Sequence, residues 1–271
     1  MGLNANVVRA LTDMVATRDP GDERFLAGCL RLLAKWRSLL LANTIIARHG
    51  TVVQSGPFAG MDYVAVATEG ALAPRLLGVY EHELHPTIEA MSNWGLEEVV
   101  DIGCAEGYYA VGLARRLPAV TVNAFDTDAR ARGACRALAE KNGVADRVRI
   151  EGEFRGEDFA RFAGRTILVF IDAEGFEDDI LRPDLYPALE GFSLVVETHP
   201  GFRPGVIERL TERFSPTHDI VRHDPRLQAA VLPDWLSATG HHDMLLAVWE
   251  WRATPTPWLV MRPKQPAQSS S

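Results

Sequence analysis

Around residue 101 the chain places two carboxylates about a loop of small residues. The run Val99-Val100-Asp101-Ile102-Gly103-Cys104-Ala105-Glu106-Gly107-Tyr108-Tyr109 reads as an apolar strand ending in an acid, a tight loop, then an amphipathic helix. Gly103 and Gly107 let the backbone turn sharply and approach a ligand closely. A dinucleotide fold lays pyrophosphate on a helix N-terminus with the spacing G-x-G-x-x-G. Here the spacing is G-x-x-x-G, with Asp101 before it and Glu106 inside it. Two carboxylates suit a ligand that carries an ammonium or sulfonium and no phosphate, and they argue against NAD.

Further along, Thr121-Val122-Asn123-Ala124-Phe125 ends at Asp126 and Thr127. That is about 20 residues beyond the loop, where Rossmann-like folds place the acid that binds ribose hydroxyls. The next run, Val148 to Phe154, brings Glu153 and Phe154 to where an adenine would lie, one to accept from its amino group and one to pack on its ring. A second group of reactive side chains follows two more apolar runs. Asp172, Glu174 and Glu177 come after Thr166–Ile171, and Glu197 and His199 close Ser193–Glu197. Ligands in open α/β sheets lie at the carboxyl ends of strands.

The elements that must position these residues alternate from Glu97 onward in the manner of a parallel α/β fold. Short β-rich runs are expected at Glu98–Ile102, Thr121–Phe125, Val148–Gly152, Thr166–Ile171, Ser193–Glu197, His218–Arg222 and Trp258–Met261. Helices are expected at Tyr108–Leu117, Asp128–Asn142, Phe176–Leu189, Pro204–Phe214 and Asp243–Trp251. The apolar, β-branched strands fit a sheet covered on both faces. Before it, Val7 to Ala47 reads as two or three helices broken at Asp19-Pro20-Gly21, then a short strand Thr51-Val52-Val53. A further helix is expected near Leu76, carrying Tyr80, Glu81 and Leu84. The organisation is therefore an N-terminal helical extension with a lid segment (1–94), an α/β domain (95–263) and a disordered Pro/Gln/Ser tail (264–271).

The Asp101–Gly107 loop resembles motif I of class I S-adenosylmethionine-dependent methyltransferases. The block Phe170-Ile171-Asp172-Ala173-Glu174-Gly175-Phe176-Glu177 is similar to the Asp-x-Glu-Gly-x-Glu signature of the FkbM-type family, and Glu197-Thr198-His199 resembles that family's next strand end. The likeness spans roughly residues 95–200, about two fifths of the chain. It implies a Rossmann-like seven-stranded sheet with the last strand antiparallel, S-adenosyl-L-methionine as cofactor, and methylation of a small molecule, usually at oxygen. The cofactor-binding set is then Asp101, Gly103, Cys104, Ala105, Glu106, Gly107, Asp126, Thr127, Glu153 and Phe154.

For methyl transfer the protein must hold a nucleophile about 3 Å from the methyl group. A hydroxyl also needs a base or a metal, and His199 is the best candidate base because its ordinary pKa is near neutrality. The competing reading is a loop histidine that makes only a structural hydrogen bond beside Pro200. Asp172, Glu174 and Glu197 complete the catalytic set, although Glu174 and, more so, Glu177 also suit the cap of a following helix. Tyr80 and Glu81 are substrate-binding candidates if their helix forms a lid, and otherwise a solvated face. A ring of carboxylates around a positive group would instead favour N-methylation of a cationic or guanidino compound, and a catalytically silent binding module is the alternative outside enzymes. His82 and His85 do not make H-E-x-x-H, since Pro86 occupies the needed position, so no metal is expected. Trp235, Trp249, Trp251 and Trp258 read as core or interface residues.

Composition bounds the rest. The chain has 271 residues, 47% hydrophobic and 24% charged, with a net charge of −8 and three scattered cysteines. No basic footprint for nucleic acid is present, and no run is long enough to span a bilayer. The cysteines, Cys29, Cys104 and Cys135, form no C-x-x-C pair, which points to a reduced, cytoplasmic setting. The N-terminus lacks a signal-peptide pattern. A small-molecule substrate, no membrane and no nucleic acid are the expected partners, with a homodimer left open.

Overall fold

A computed structural model describes residues 2–17, 21–64, 71–226 and 232–264. Residues 19 and 20 of the expected helix break and residues 265–271 of the tail lie outside the described residues. The strands are β1 (Glu98–Ile102), β2 (Thr121–Phe125), β3 (Val148–Glu151), β4 (Ile167–Ile171), β5 (Ser193–Glu197), β6 (His218–His223) and β7 (Trp258–Pro263). They form one sheet in the order β3-β2-β1-β4-β5-β7-β6. The first five are parallel and β7 runs antiparallel between β5 and β6. This is the Rossmann-like seven-stranded sheet with its last strand antiparallel that the resemblance implied. Strands β4 and β5 are buried along their whole length, as continuous Val/Ile/Leu runs require when helices cover both faces.

The helices are α1 (Leu3–Thr17), α2 (Glu23–His49), α3 (Leu72–Leu77), α4 (His85–Ala90), α5 (Tyr108–Arg116), α6 (Ala129–Lys141), α7 (Glu177–Ile180), α8 (Val206–Phe214), α9 (Asp234–Ser237) and α10 (His241–Val248). Asp128 caps α6 by accepting from the Arg130 N–H at 2.8 Å. One hydrophobic core joins the N-terminal part to the sheet: Leu41, Ile45, Met61, Tyr63 and Leu76 share it with Val99, Val111, Phe170 and Trp258. The extension is therefore packed onto the face that carries α5.

Several expected elements are reshaped. The helix expected over Phe176–Leu189 is only α7, because Pro183 and Pro187 interrupt it and the chain closes with a 3-10 turn at Pro187–Gly191. The helix expected to carry Tyr80 and Glu81 ends at Leu77. Gly78 takes φ +76 there, and a Cβ on it would stand 1.9 Å from the Ser55 carbonyl oxygen, so neither helix nor side chain can continue. Tyr80 and Glu81 lie in the connection that leads to a 3-10 turn, His82–Leu84. His82 and His85 stack, with ring centroids 4.6 Å apart. Thr51–Val53 contributes a single bridge, Val52 to Asp62, rather than a strand. The helix expected over Asp243–Trp251 starts at His241 and stops at Val248. Arg31 of α2 donates to the Trp251 and Arg252 carbonyls and holds the segment that follows. The three cysteines are unpaired, and no described helix is long and apolar enough to cross a membrane.

Candidate functional site

The loop after β1 is built by backbone crowding. Gly103 has φ +86, and a Cβ there would sit 1.8 Å from the Asp172 carbonyl oxygen, so the ends of β1 and β4 touch through glycine alone. The Gly103 and Cys104 N–H groups both donate to the Phe125 carbonyl, at 2.9 and 3.0 Å, and the Asp172 N–H donates to Ile102 at 3.0 Å. Asp126, at the end of β2, accepts from the Ala105 N–H at 2.9 Å and the Asp128 N–H at 2.8 Å. An ionised carboxylate has about four acceptor positions, so Asp126 keeps capacity for two hydroxyls.

Over this loop opens a cavity of about 350 Å³. Gly103, Ala105, Asp126, Thr127, Glu153 and Phe154 line it, together with Ala173, Phe176 and Ile180 on the opposite wall. Among the described lining residues none is basic, and Asp126, Glu153, Asp172 and Glu174 are acidic. A pyrophosphate would find no cation there. Phe154 is buried edge-on against Phe125 and Phe159, with centroids 4.9 and 4.8 Å away. Glu153 is exposed and paired with Arg155 at 3.1 Å. Gly107 starts α5 with φ +96 and packs on Cys135, away from the cavity.

A smaller chamber of about 40 Å³ lies deeper, against Asp101, Cys104, Glu106 and Tyr109. Asp101 is 2% exposed, and its Oδ2 accepts no hydrogen bond. Burial, reinforced by Asp126, raises its pKa to about 7. A buried acid with an orphaned oxygen fits the ammonium of an amino-acid group. Glu106 serves differently. It is buried, accepts from Arg75 at 2.9 Å, and receives the Tyr63 hydroxyl, so its charge is matched within the protein.

The third cavity, about 380 Å³, lies between the ends of β4 and β5 and the segment 250–256. Asp172 lines all three cavities. Beside it His199 is 5% exposed, and its Nδ1 is 2.9 Å from Glu177 Oε1. Glu177 does not act as an outward cap. It is fully buried, and the same oxygen accepts from the Ala173 and Gly175 N–H groups at 3.2 and 3.1 Å. The loop reaches that geometry through positive φ at Glu174 (49°) and Gly175 (105°). His199 is anchored from behind, because Thr198 donates through both its N–H and its hydroxyl to the Pro257 carbonyl. Its Nε2 faces Asp172, Glu174 and Glu197 at 3.5–3.6 Å. Burial alone would lower the His199 pKa, but Glu177, Glu197 and Glu174 hold it above the ordinary value. Burial, then Glu197, pushes the Asp172 carboxyl well up.

Arg252 organises the outer wall of this cavity. It pairs with Glu81, Glu197 and Glu250, the last at 2.8 Å. Thr256 also donates to Glu197 Oε1, at 2.7 Å. Tyr80 and Trp251 line the cavity. Glu81 stands behind its wall, 1% exposed, with Arg252 and the Tyr109 hydroxyl on its carboxylate. Burial raises its pKa to about 8 against the pull of Arg252.

No family model matches the chain. Over 70 residues it is 41% identical to the ribosomal protein L11 methyltransferases of Shewanella sp. strain W3-18-1 and Shewanella baltica strain OS155, a stretch that is 24% of this chain and 24% of each of those proteins. The chain thus matches about a quarter of the length of these curated relatives. Among solved structures, an O-methyltransferase from Bacillus cereus in complex with SAH aligns with 84% of this chain and 90% of its own, at 12% identity and TM-score 0.47. TomG, an O-methyltransferase from Streptomyces achromogenes involved in tomaymycin synthesis, solved with SAM, covers the same shares at 14% identity and TM-score 0.46. An rRNA methylase from Streptococcus thermophilus aligns with 68% of this chain and 97% of its own, at 15% identity and TM-score 0.45.

The structure brings Asp172, Glu174, Glu197 and His199 together, and it sets Gly103, Ala105, Asp126, Thr127, Glu153 and Phe154 around one cavity. Sequence reasoning missed Arg75, Arg252, Glu250 and Phe176, and took Glu177 for a cap. One signal was legible: Arg75 is the lone charge in Leu-Ala-Pro-Arg-Leu-Leu, every residue of which is buried, and a charge in an apolar run requires a buried partner. Arg252 carries no such mark: beside its neighbour Glu250, its carboxylate partners Glu197 and Glu81 lie 55 and 171 residues away.

Proposed function

We propose that the chain is an S-adenosylmethionine-dependent methyltransferase of FkbM type that methylates a hydroxyl oxygen of a small metabolite or natural-product intermediate. The observation that carries this reading is Asp172, a single residue that borders the glycine-loop cavity, the deep chamber with Asp101, and the cavity with His199. S-adenosylmethionine supplies an electrophilic methyl group on a sulfonium, displaced in line by the acceptor. Asp126 holds the ribose hydroxyls, Phe176 and Ile180 wall the adenine, and Asp101 receives the ammonium. Asp172 stands where the two substrates meet. The carboxylates around His199 Nε2 mark where the acceptor proton leaves, with His199 as base and Glu177 fixing its ring. The block Asp172-Ala173-Glu174-Gly175-Phe176-Glu177 supports the FkbM assignment.

The ion pairs favour a neutral acceptor over a cation, because Arg252 already meets two of the carboxylates at the acceptor cavity, Glu197 and Glu250. A cavity of about 380 Å³ suits a small molecule, and a net charge of −8 does not attract nucleic acid. We place the protein in the cytoplasm, acting on a diffusible substrate.

Calorimetric titration with S-adenosylmethionine, followed by a screen of hydroxyl and amine acceptors with a methyl-labelled donor, tests this reading. One bound cofactor per chain and label on oxygen are expected. Absence of cofactor binding at millimolar concentration removes the enzyme reading, and label on nitrogen replaces the acceptor class.

A further inference from the structure

His199 Nε2 faces three carboxylate oxygens, Asp172 Oδ1 at 3.6 Å and Glu174 Oε2 and Glu197 Oε2 at 3.5 Å each. These separations are long for hydrogen bonds, whose usual N···O distance is about 2.9–3.0 Å. Nδ1 differs, at 2.9 Å from Glu177 Oε1. That oxygen already accepts from two backbone N–H groups. An ionised carboxylate offers only lone pairs, so Nδ1 carries the hydrogen and donates it. In the neutral ring the Nε2 lone pair then points at the three oxygens. Asp172 Oδ1 is buried and accepts no hydrogen bond. Lone pairs gathered on one small volume repel unless a proton or a metal ion lies between them, and at 3.5–3.6 Å a proton on Nε2 makes no good hydrogen bond to any of the three.

The spacing suits such a centre. The donor atoms of Asp172, Glu174 and His199 lie within 4.8 Å of one another. Donors bonded to a first-row divalent ion at about 2.0–2.2 Å stand about 3–3.5 Å apart. A metal-bound imidazole characteristically donates its other ring N–H to a carboxylate, which fixes tautomer and orientation, and Glu177 stands in that place. Glu174 is on an exposed side chain, 61% accessible, and its rotation can close the remaining gap of up to about 1.3 Å.

We propose that Asp172, Glu174 and His199 bind a divalent first-row metal ion. One imidazole with two carboxylates suits Mn²⁺, Fe²⁺ or Zn²⁺ better than the all-oxygen ion Ca²⁺. Its catalytic role, though not its binding, rests on the methyl-transfer reading: the ion holds the acceptor hydroxyl and lowers its pKa. His199 is then a ligand rather than the free base. The hydroxyl proton passes to Glu197, whose Oε2 faces the cluster while Oε1 is held by Arg252 and Thr256.

Titration of the EDTA-treated full chain with Mn²⁺, followed by the electron paramagnetic resonance signal of the free aqua ion, tests the site without any cofactor. One saturable site is expected. Glu174→Gln and His199→Gln should each weaken it by about tenfold or more, and Glu177→Gln by about 10–100-fold through the loss of ring orientation. The exposed Glu174 side chain makes its variant safe for folding, so a loss there is a loss of ligation. Wild type that takes up no Mn²⁺ below about 1 mM, or binds it equally well as Glu174→Gln and His199→Gln, overturns the proposal even if S-adenosylmethionine binds normally. Mn²⁺ bound at these residues with no S-adenosylmethionine binding leaves the metal site standing and removes only its methyl-transfer role.

Discussion

Asp101 is an acid that the fold holds in the wrong solvent. It is 2% exposed, its Oδ2 has no hydrogen-bond partner, and burial together with Asp126 lifts its pKa from 3.8 to about 7. Below the unfolded pKa both states are protonated and the group contributes no pH dependence. As pH rises past that value the unfolded chain ionises first, so stability falls until the folded pKa is passed. The gap of about 3 units, at about 1.4 kcal/mol each, amounts to about 4 kcal/mol, of which about 2.5 kcal/mol is lost between about pH 5 and pH 7.5. Asp101→Asn keeps the shape and removes the titration. Urea unfolding of ligand-free wild type and variant across that window should show the variant gaining about 2.5 kcal/mol on wild type as pH rises. Subtracting the two cancels the opposite slopes of the salt-bridged acids Asp62, Asp178 and Asp243, whose pKa values are lowered. Cofactor affinity supplies a second readout. An ammonium against Asp101 favours the ionised form, so wild-type affinity should rise between about pH 5.5 and pH 7 while the variant's stays flat. Parallel unfolding profiles for the two proteins would refute the assignment of Asp101 as a buried, protonated acid.

Two other substitutions test the frame around that acid. Gly103→Ala drives a methyl group into the Asp172 carbonyl oxygen, 1.8 Å from the ideal Cβ, at a φ of +86; it should lower cofactor affinity by about tenfold or more and reduce the melting temperature, and a wild-type isotherm would contradict the crowded loop. Arg75→Met and Glu106→Gln should each cost about 3–5 kcal/mol in chemical denaturation by stranding a buried charge, whereas the double variant should cost clearly less than their sum. Strict additivity would mean that the two side chains do not interact.

The sheet was readable because its signals are local. Strands β1, β2 and β5 fall on the expected residues, since each is a short apolar run bounded by polar or small residues. The carboxyl-end rule then placed Asp126, Asp172, Glu197 and His199 correctly on the sheet, because position in a parallel strand fixes the rim on which a residue stands. Where a side chain points from that rim was not readable. Glu106 and Asp101 flank the same loop and the same chamber, yet one is paired with Arg75 of α3 and the other keeps an oxygen without a hydrogen bond, a difference set by packing of a segment 26 or more residues upstream. Glu177 looked like a helix cap because acids favour that position. The positive φ at Glu174 and Gly175 curls the loop so that the same acid faces its own backbone N–H groups and His199.

The same contrast separates the two halves of the proposed reaction. The cofactor side is set by backbone: a glycine that must touch Asp172, and Asp126 held by two N–H groups at the end of a strand. Such geometry changes little while the sheet stands. The acceptor side is set by side-chain hydrogen bonds and ion pairs that join α2, the 78–85 connection and the 249–256 segment through Arg31, Glu81 and Arg252. Those segments lie outside the β/α repeat, and each contact depends on a single side chain. Substitutions at Arg252 or Glu250 can therefore reshape the acceptor cavity while the glycine loop, Asp126 and the His199 cluster keep their positions. On the proposed reading, selectivity for the acceptor resides in the 249–256 segment, and the capacity for methyl transfer in the strand ends.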